Sequence, residues 1–378
     1  PSFLLSRSNL QCKMFLHLRR TRILVSLTAI LLSIGAISIY LSRISQLADN
    51  VLPTTERIDR LCTPRRTKCF QVVDRRKEES YEGEELVTRT LESVLPSGET
   101  FRESVVRIRP VTSNATFFDS DTRLWKVDGD ELGRDYLRAM SIVPFLTRVF
   151  KLGRRKDGKK IAFVGGGGTA ILSHLRTMKD GIEATVVEKE KEVVELSKRW
   201  FELRDATVVN AHGVEWMKEK EGNGSNYDII FIDACERRSA QHCPDRLFMN
   251  DENVKNLHRL MNENERALVV INFEIYNNQK WEMLHQQMNV LLSSFPHCLT
   301  IDLKEEVNMI IGCSTRPLPF YNKENPRASL DASMGFIVEQ FGEVIQELQY
   351  GRVFREFGVH SIINGKRESI LQPADKEI

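Results

Sequence analysis

Residues 161–168 read IAFVGGGG. A short apolar run stops abruptly on four glycines, and a helical pattern follows through Met178. An unbroken apolar run suits a strand covered on both faces. Glycines where that strand turns into a helix allow positive φ and close approach of a ligand to the backbone. The free amides of the helix start then face an anionic group.

Working outward from this unit, strands and helices alternate. Residues 184–190 (ATVVEKE) read as a second strand, with a helix through Leu203. Residues 206–213 (ATVVNAHG), 227–234 (YDIIFIDA) and 267–275 (ALVVINFEI) supply the third, fourth and fifth strands, and a helix covers Trp281 to Leu292. Such alternation predicts a doubly wound, mostly parallel sheet. Residues 297–314 (HCLTIDLKEEVNMIIGCS) read as two strands joined by a very short turn, hence an antiparallel hairpin.

The glycine turn gains meaning from its surroundings. Glu188 ends the second strand, where a carboxylate can accept hydrogen bonds from both hydroxyls of a ribose. Gly165, Gly166, Gly167 and Gly168 are therefore read as cofactor-binding, together with Glu188. Asp233 ends the fourth strand at the edge where ligands bind in open α/β sheets, and is read as both catalytic and cofactor-binding. Glu236 is a second catalytic candidate. His212 and Gly213, at the end of the third strand, are candidates for lining a nucleobase pocket. No cysteine pair has CxxC spacing, and no metal is expected.

On the N-terminal side, residues 67–130 carry strand-like pieces, CFQVVDRR, EELVTRTLESV, SVVRIRP and TRLWKVDG, and predict a small β-region of two to four strands before a helix beginning at Asp135. Residues 42–66 are polar, with Pro53 and Pro64, and read as a stalk. Residues 23–41 are 19 uncharged residues, ILVSLTAILLSIGAISIYL. At about 1.5 Å rise per residue they match the roughly 30 Å hydrocarbon core of a membrane. Arg19, Arg20 and Arg22 precede them, which favours residues 1–22 in the cytosol and a type II single-pass protein. A cleaved signal peptide is the alternative, with Ala36 and Ser38 near a cleavage site. The rest of the chain is then expected in the ER or Golgi lumen or at the cell surface. Sequons at Asn114 and Asn223, and an even six cysteines after residue 41, agree with a glycoprotein in an oxidising compartment. Residues 317–378 are expected to form a helical tail, with an amphipathic pattern from Ser333 to Leu348.

Composition excludes one class of partner. With 54 basic and 52 acidic residues the net charge is +2, and there is no global basic footprint of a nucleic-acid binder. The run KLGRRKDGKK at 151–160 is read as a solvated connection.

From Leu124 to Ser314 the chain resembles the spermidine-synthase-like class I S-adenosylmethionine-dependent methyltransferases. IAFVGGGG is similar to the glycine motif of polyamine aminopropyltransferases, ATVVEKEKEVVELSKRWF to their second strand and helix, and YDIIFIDA to their fourth strand. A closer likeness, to the C-terminal domain of the dual methyltransferases of elongation factor 1A, is carried by Cys243-Pro244, Phe248 and Glu306-Val307-Asn308. The resemblance implies an α/β, Rossmann-like class I methyltransferase sheet over 131–316 with a C-terminal antiparallel hairpin, preceded by the β-region and one transmembrane helix. It implies S-adenosylmethionine or its decarboxylated form as cofactor, a protein amine among the acceptors, and a homodimer. Gly168 stands beside the place of the aminopropyltransferases' aspartate, Leu132 near that of their lid glutamine, His212-Gly213 for Asp-Gly, and Glu236 for a second aspartate. A polyamine needs carboxylates to hold it, so these departures leave three readings open: methyl transfer, aminopropyl transfer, and a catalytically inactive binding module.

Overall fold

The computed structural model describes residues 54–65, 67–77, 86–112, 115–151, 156–165, 168–203, 205–220, 226–235, 243–263, 265–274, 280–303, 307–318, 358–363 and 366–371. All lie in one compact unit, Thr54–Ile378. Among them no helix is long and apolar enough to cross a membrane. The predicted span 23–41, the sequons at Asn114 and Asn223, and the predicted helix at 333–348 lie outside the described residues.

The first layer is a five-stranded antiparallel sheet in sequence order: β1 (Thr55–Cys62), β2 (Cys69–Lys77), β3 (Leu86–Val94), β4 (Thr100–Arg109) and β5 (Lys126–Leu132). The predicted stalk is thus corrected: Thr55–Cys62 within it is β1. Its sequence TERIDRLC carries Glu56, Arg57, Asp59 and Arg60, charges suited to an edge strand, and these hid the pattern. A Cys62–Cys69 disulfide ties β1 to β2. β1 is also the one strand more than the two to four expected, and β5 runs past residue 130.

Six α-helices and a second sheet follow: α1 (Asp135–Leu146), β6 (Lys160–Val164), α2 (Gly168–Met178), β7 (Glu183–Val187), α3 (Lys191–Trp200), β8 (Ala206–Val209), α4 (Gly213–Lys220), β9 (Ile229–Ile232), α5 (Asp251–Arg259), β10 (Leu268–Glu274), α6 (Lys280–Ser294), β11 (His297–Asp302) and β12 (Asn308–Ser314). β13 (Gly358–Ile363) and β14 (Lys366–Leu371) complete it. The order is β14-β13-β11-β12-β10-β9-β6-β7-β8. β10, β9, β6, β7 and β8 are parallel; β12 is antiparallel to both β10 and β11. This is the class I methyltransferase arrangement. The expected helical tail is corrected in part: β13 pairs antiparallel with β11, so backbone groups along that edge are satisfied by the tail itself. Asn364-Gly365, a favoured hairpin pair, stands between the two strands in sequence and was the available signal.

Period-2 alternation puts each strand's side chains on two faces. Ile161, Phe163, Ile229, Phe231, Leu268 and Val270 join the core shared with α1, α2 and the small sheet. Ala162, Val164, Ile230, Ile232, Val269 and Ile271 join the opposite core with α4, α5 and α6. Phe163 and Phe231 stack at 5.0 Å between adjacent strands. Polar ties fix the small sheet to the larger layer. Buried Arg89 on β3 makes a bidentate pair with Asp74 (2.9 and 2.8 Å) and donates to the Trp200 carbonyl of α3 at 3.3 Å. Trp200 Nε1 donates to Asp59 at 2.8 Å. His174 of α2 donates from Nδ1 to the Gly129 carbonyl in β5 at 2.7 Å. Burial holds that imidazole neutral, with its pKa lowered to about 4.

Candidate active site

The parallel order reverses between β6 and β9: the chain moves from β6 outward to β8, then returns to the other side of β6. Ligands bind at such a switch point, outside the carboxyl ends of the strands. A cleft of about 850 Å³ lies there, floored by the ends of β6, β7, β9 and β10 and walled on one side by the small sheet.

At the floor, Gly165 has φ +112°, and a Cβ on it would overlap the Asp233 carbonyl. Only glycine fits where the end of β6 crosses so close to the end of β9. Gly168 opens α2, and Gly166 and Gly167 lie outside the described residues. Gly213 opens α4, where a Cβ would run into Val164 and, at 2.7 Å, the ring of Phe248.

Glu188 follows β7, is only 8% exposed, and lines the cleft. The Glu190 amide donates to its Oε1 at 2.8 Å, and the Asn210 side chain donates to the Glu188 and Lys189 carbonyls, holding the turn. Burial pushes its carboxyl up to about 7, reinforced by the charges of Glu103 and Glu190. Lys189 offsets part of that cost; a carboxyl so buried is suited to accepting hydrogen bonds from a ligand.

Asp233 is held by two residues that the sequence reading did not single out. Tyr136 of α1 donates its hydroxyl to Oδ2 at 3.3 Å, and Asn272 of β10 donates to Oδ1 at 2.8 Å. Asn308 of β12 donates to Asn272 Oδ1 at 2.8 Å. Burial, then the Asp233 charge, keeps the Tyr136 phenol protonated, well above its ordinary range. No spacing rule links residues 136, 233, 272 and 308. Asn308 was visible through the family likeness, and Asn272 as a polar residue inside an apolar strand run.

His212 lines the cleft; its Nδ1 accepts from the Val214 amide at 3.3 Å, so Nε2 carries the proton and faces Asp245 at 3.7 Å. Its ring lies near-parallel to Phe248, 6.2 Å away. Glu236 lies outside the described residues. Cys235 and Cys243 form a disulfide beside Asp233, and the third links Cys298 to Cys313. Oxygen and sulfur atoms of Asp233, Cys235 and Cys243 cluster within 4.8 Å, but both sulfurs are bonded to each other.

The strand order defines an α/β fold of the class I methyltransferase type. No family model matches the chain, and no curated protein matches it. Among solved structures it is similar to human methyltransferase-like protein 13 in complex with SAH (16% identity, 54% of this chain and 92% of that one, TM-score 0.43). It is also similar to a probable spermidine synthase from Corynebacterium glutamicum (14%, 79% and 94%, TM-score 0.47) and to spermidine synthase from Thermotoga maritima (14%, 76% and 87%, TM-score 0.42). The fold assignment rests on the strand order.

Proposed function

We propose that the chain is an S-adenosylmethionine-dependent transferase, acting as a methyltransferase on an amine, a protein amine among the candidates. The observation that carries this reading is the pairing in one cleft of buried Glu188, at the end of β7, with Asp233, at the end of β9, on either side of the Gly165 turn.

The residues fit the cofactor. Gly165 leaves room for its amino-acid end, Glu188 accepts the ribose hydroxyls, and Phe248 with His212 offers flat surface at Gly213 for the adenine. When bound, the cofactor supplies an electrophilic carbon on a sulfonium. Methyl transfer then asks for in-line positioning of a neutral amine. Asp233, fixed by Asn272 and Tyr136, accepts an amine N–H, aims the lone pair, and balances the ammonium that forms. Protonated Tyr136 donates and does not compete as a nucleophile.

Aminopropyl transfer is the second reading. Asp233 and Glu274 both bear on Tyr136 within the cleft, and such acidity suits a cationic polyamine.

We further propose a type II protein anchored by residues 23–41 with its folded unit in an oxidising compartment. Three disulfides among the described residues support this. A glycosidase-sensitive shift lost in Asn114→Gln/Asn223→Gln tests the topology; an unshifted wild type argues for the cytosolic side.

The deciding test for the reaction is calorimetric titration of the full chain with S-adenosylmethionine and with its decarboxylated form, with Glu188→Ala as control. Binding of the intact cofactor, lost in the variant, is expected. Preference for the decarboxylated form moves the reading to aminopropyl transfer. No binding by folded protein overturns both and leaves a binding module.

A further inference from the structure

The small sheet does more than cover the cleft. β3 and β4 pair regularly from Val87↔Ile108 to Leu91↔Ser104, then resume at Glu92↔Arg102. Glu103 is left without an opposite residue: it is the extra residue of a β-bulge. Bulges re-aim side chains and recur beside active sites. Phe101, Arg102 and Glu103 line the cleft, with Phe101 and Glu103 half-buried and Arg102 exposed. From this position the Glu103 charge bears on Glu188, which lines the same cleft.

The other charged groups about Glu188 are known. Lys189 and Glu190 follow it in the chain. Lys68, from the small sheet, pairs with Glu190 at 3.3 Å, and Arg102 flanks Glu103 along the same wall. Two carboxylates from two different sheets thus converge on one corner of the cleft, each with basic side chains beside it.

We propose that Glu103 is a second ligand-binding carboxylate of the sugar subsite, delivered by the bulge in β4, so that a vicinal diol is held between Glu103 of the small sheet and Glu188 of the large one. This rests on the nucleoside-binding reading of the cleft. The diol replaces carboxylate–carboxylate repulsion by O–H donors to both groups. Removing either hydroxyl leaves one carboxylate unmatched, so the subsite selects ribose over 2′-deoxyribose. The small sheet becomes part of the binding site.

The test is calorimetric titration of the full chain with S-adenosylhomocysteine and its 2′-deoxy analogue from pH 5.5 to 8.5, for wild type, Glu103→Gln and Glu103→Asp, with melting curves confirming the fold. Wild type is expected to lose affinity as Glu188 protonates, about tenfold per pH unit on the acid side. Glu103→Gln is expected to bind about tenfold more weakly at pH 8, to move the pH midpoint downward because the repulsion on Glu188 is gone, and to discriminate less against the deoxy analogue. Glu103→Asp keeps the charge but not the reach: weaker binding with the wild-type midpoint is expected. Variants that match wild type in affinity, midpoint and deoxy discrimination overturn the proposal alone. So does weaker binding by Glu103→Gln with midpoint and discrimination unchanged, the mark of a structural role. No binding by folded wild type overturns it together with the proposed function.

Discussion

Asn272 holds the Asp233 carboxylate with one end of its amide and takes a hydrogen bond from Asn308 with the other, both at 2.8 Å. The amide comes from a strand whose other residues are almost all apolar, at the point where the reversed strand β12 runs beside β10. Truncating it takes one donor from the half-buried Asp233 carboxylate and removes the acceptor of the buried Asn308 amide. Asn272→Ala is expected to cost about 1–3 kcal/mol of stability and to lower turnover more than cofactor affinity, because Asp233 faces the acceptor. Denaturant unfolding and separate measurement of kcat and cofactor Kd check this; loss confined to stability would count against Asp233 as the acceptor's partner.

Glu188 sets function against stability. Its folded pKa is raised from 4.5 to about 7, so the protonated form is favoured in the fold. The stability tied to that proton is fully present below pH 4.5 and is lost as pH rises through about 7. Glu188→Gln removes the penalty. The variant is expected to be more stable than wild type by about 3 kcal/mol above pH 7, while losing nucleoside affinity. Thermal melts and calorimetry on the same samples read both effects.

His174 works in the opposite sense. Its folded pKa is lowered from 6.5 to about 4, so stability is lost as pH falls from 6.5 toward 4. Between pH 4.5 and 6.5 the slopes from His174 and Glu188 cancel in wild type. In Glu188→Gln the His174 slope is exposed, and the variant's own stability is expected to rise by about 1.4 kcal/mol per pH unit across that window, while wild type stays nearly level. Urea titrations at half-unit pH steps check it; a variant profile as level as wild type refutes the His174 assignment.

Arg89 and Asp74 form a fully buried pair that also reaches α3. Removing one partner leaves the other charge uncompensated. Arg89→Ala is expected to cost about 3–5 kcal/mol, whereas the double change Arg89→Met/Asp74→Leu costs far less. Thermal unfolding of the three proteins measures the difference.

The Cys235–Cys243 disulfide closes the segment that follows Asp233, and Cys243 Sγ lies 3.7 Å from the same Asn272 amide. Selective reduction, or Cys243→Ser, is expected to weaken nucleoside binding with little change in far-ultraviolet circular dichroism. Thiol titration of the unfolded, unreduced chain should find no more than one of the seven cysteines reactive. A higher count sinks the three pairings.

The alternation from Ile161 to Ser314 was legible in the sequence because each buried parallel strand is an apolar run that ends on glycine or a carboxylate. Gly165, Glu188 and Asp233 were legible for the same reason: strand ends mark the ligand edge of such a sheet. The terminal hairpin was legible from two apolar runs too close for a crossover. β1 was not, since four of its eight residues are charged and mask the apolar alternation. β13 and β14 were not, since their partner β11 is distant in the chain.

What the sequence by itself determined is therefore the local content of the fold: element type, order, and the residues that end each strand. Only the tertiary structure decided which of those residues share a cleft. Tyr136, Asn272 and Asn308 meet Asp233 through strand order, a long-range property. Glu103, the extra residue in the ladder of β3 with β4, lines the same cleft as Glu188 from the other sheet, and that extra residue is visible only in the register of pairing. The disulfide partners were undecided for the same reason: an even cysteine count allows many pairings, and the geometry of the sheets selects one.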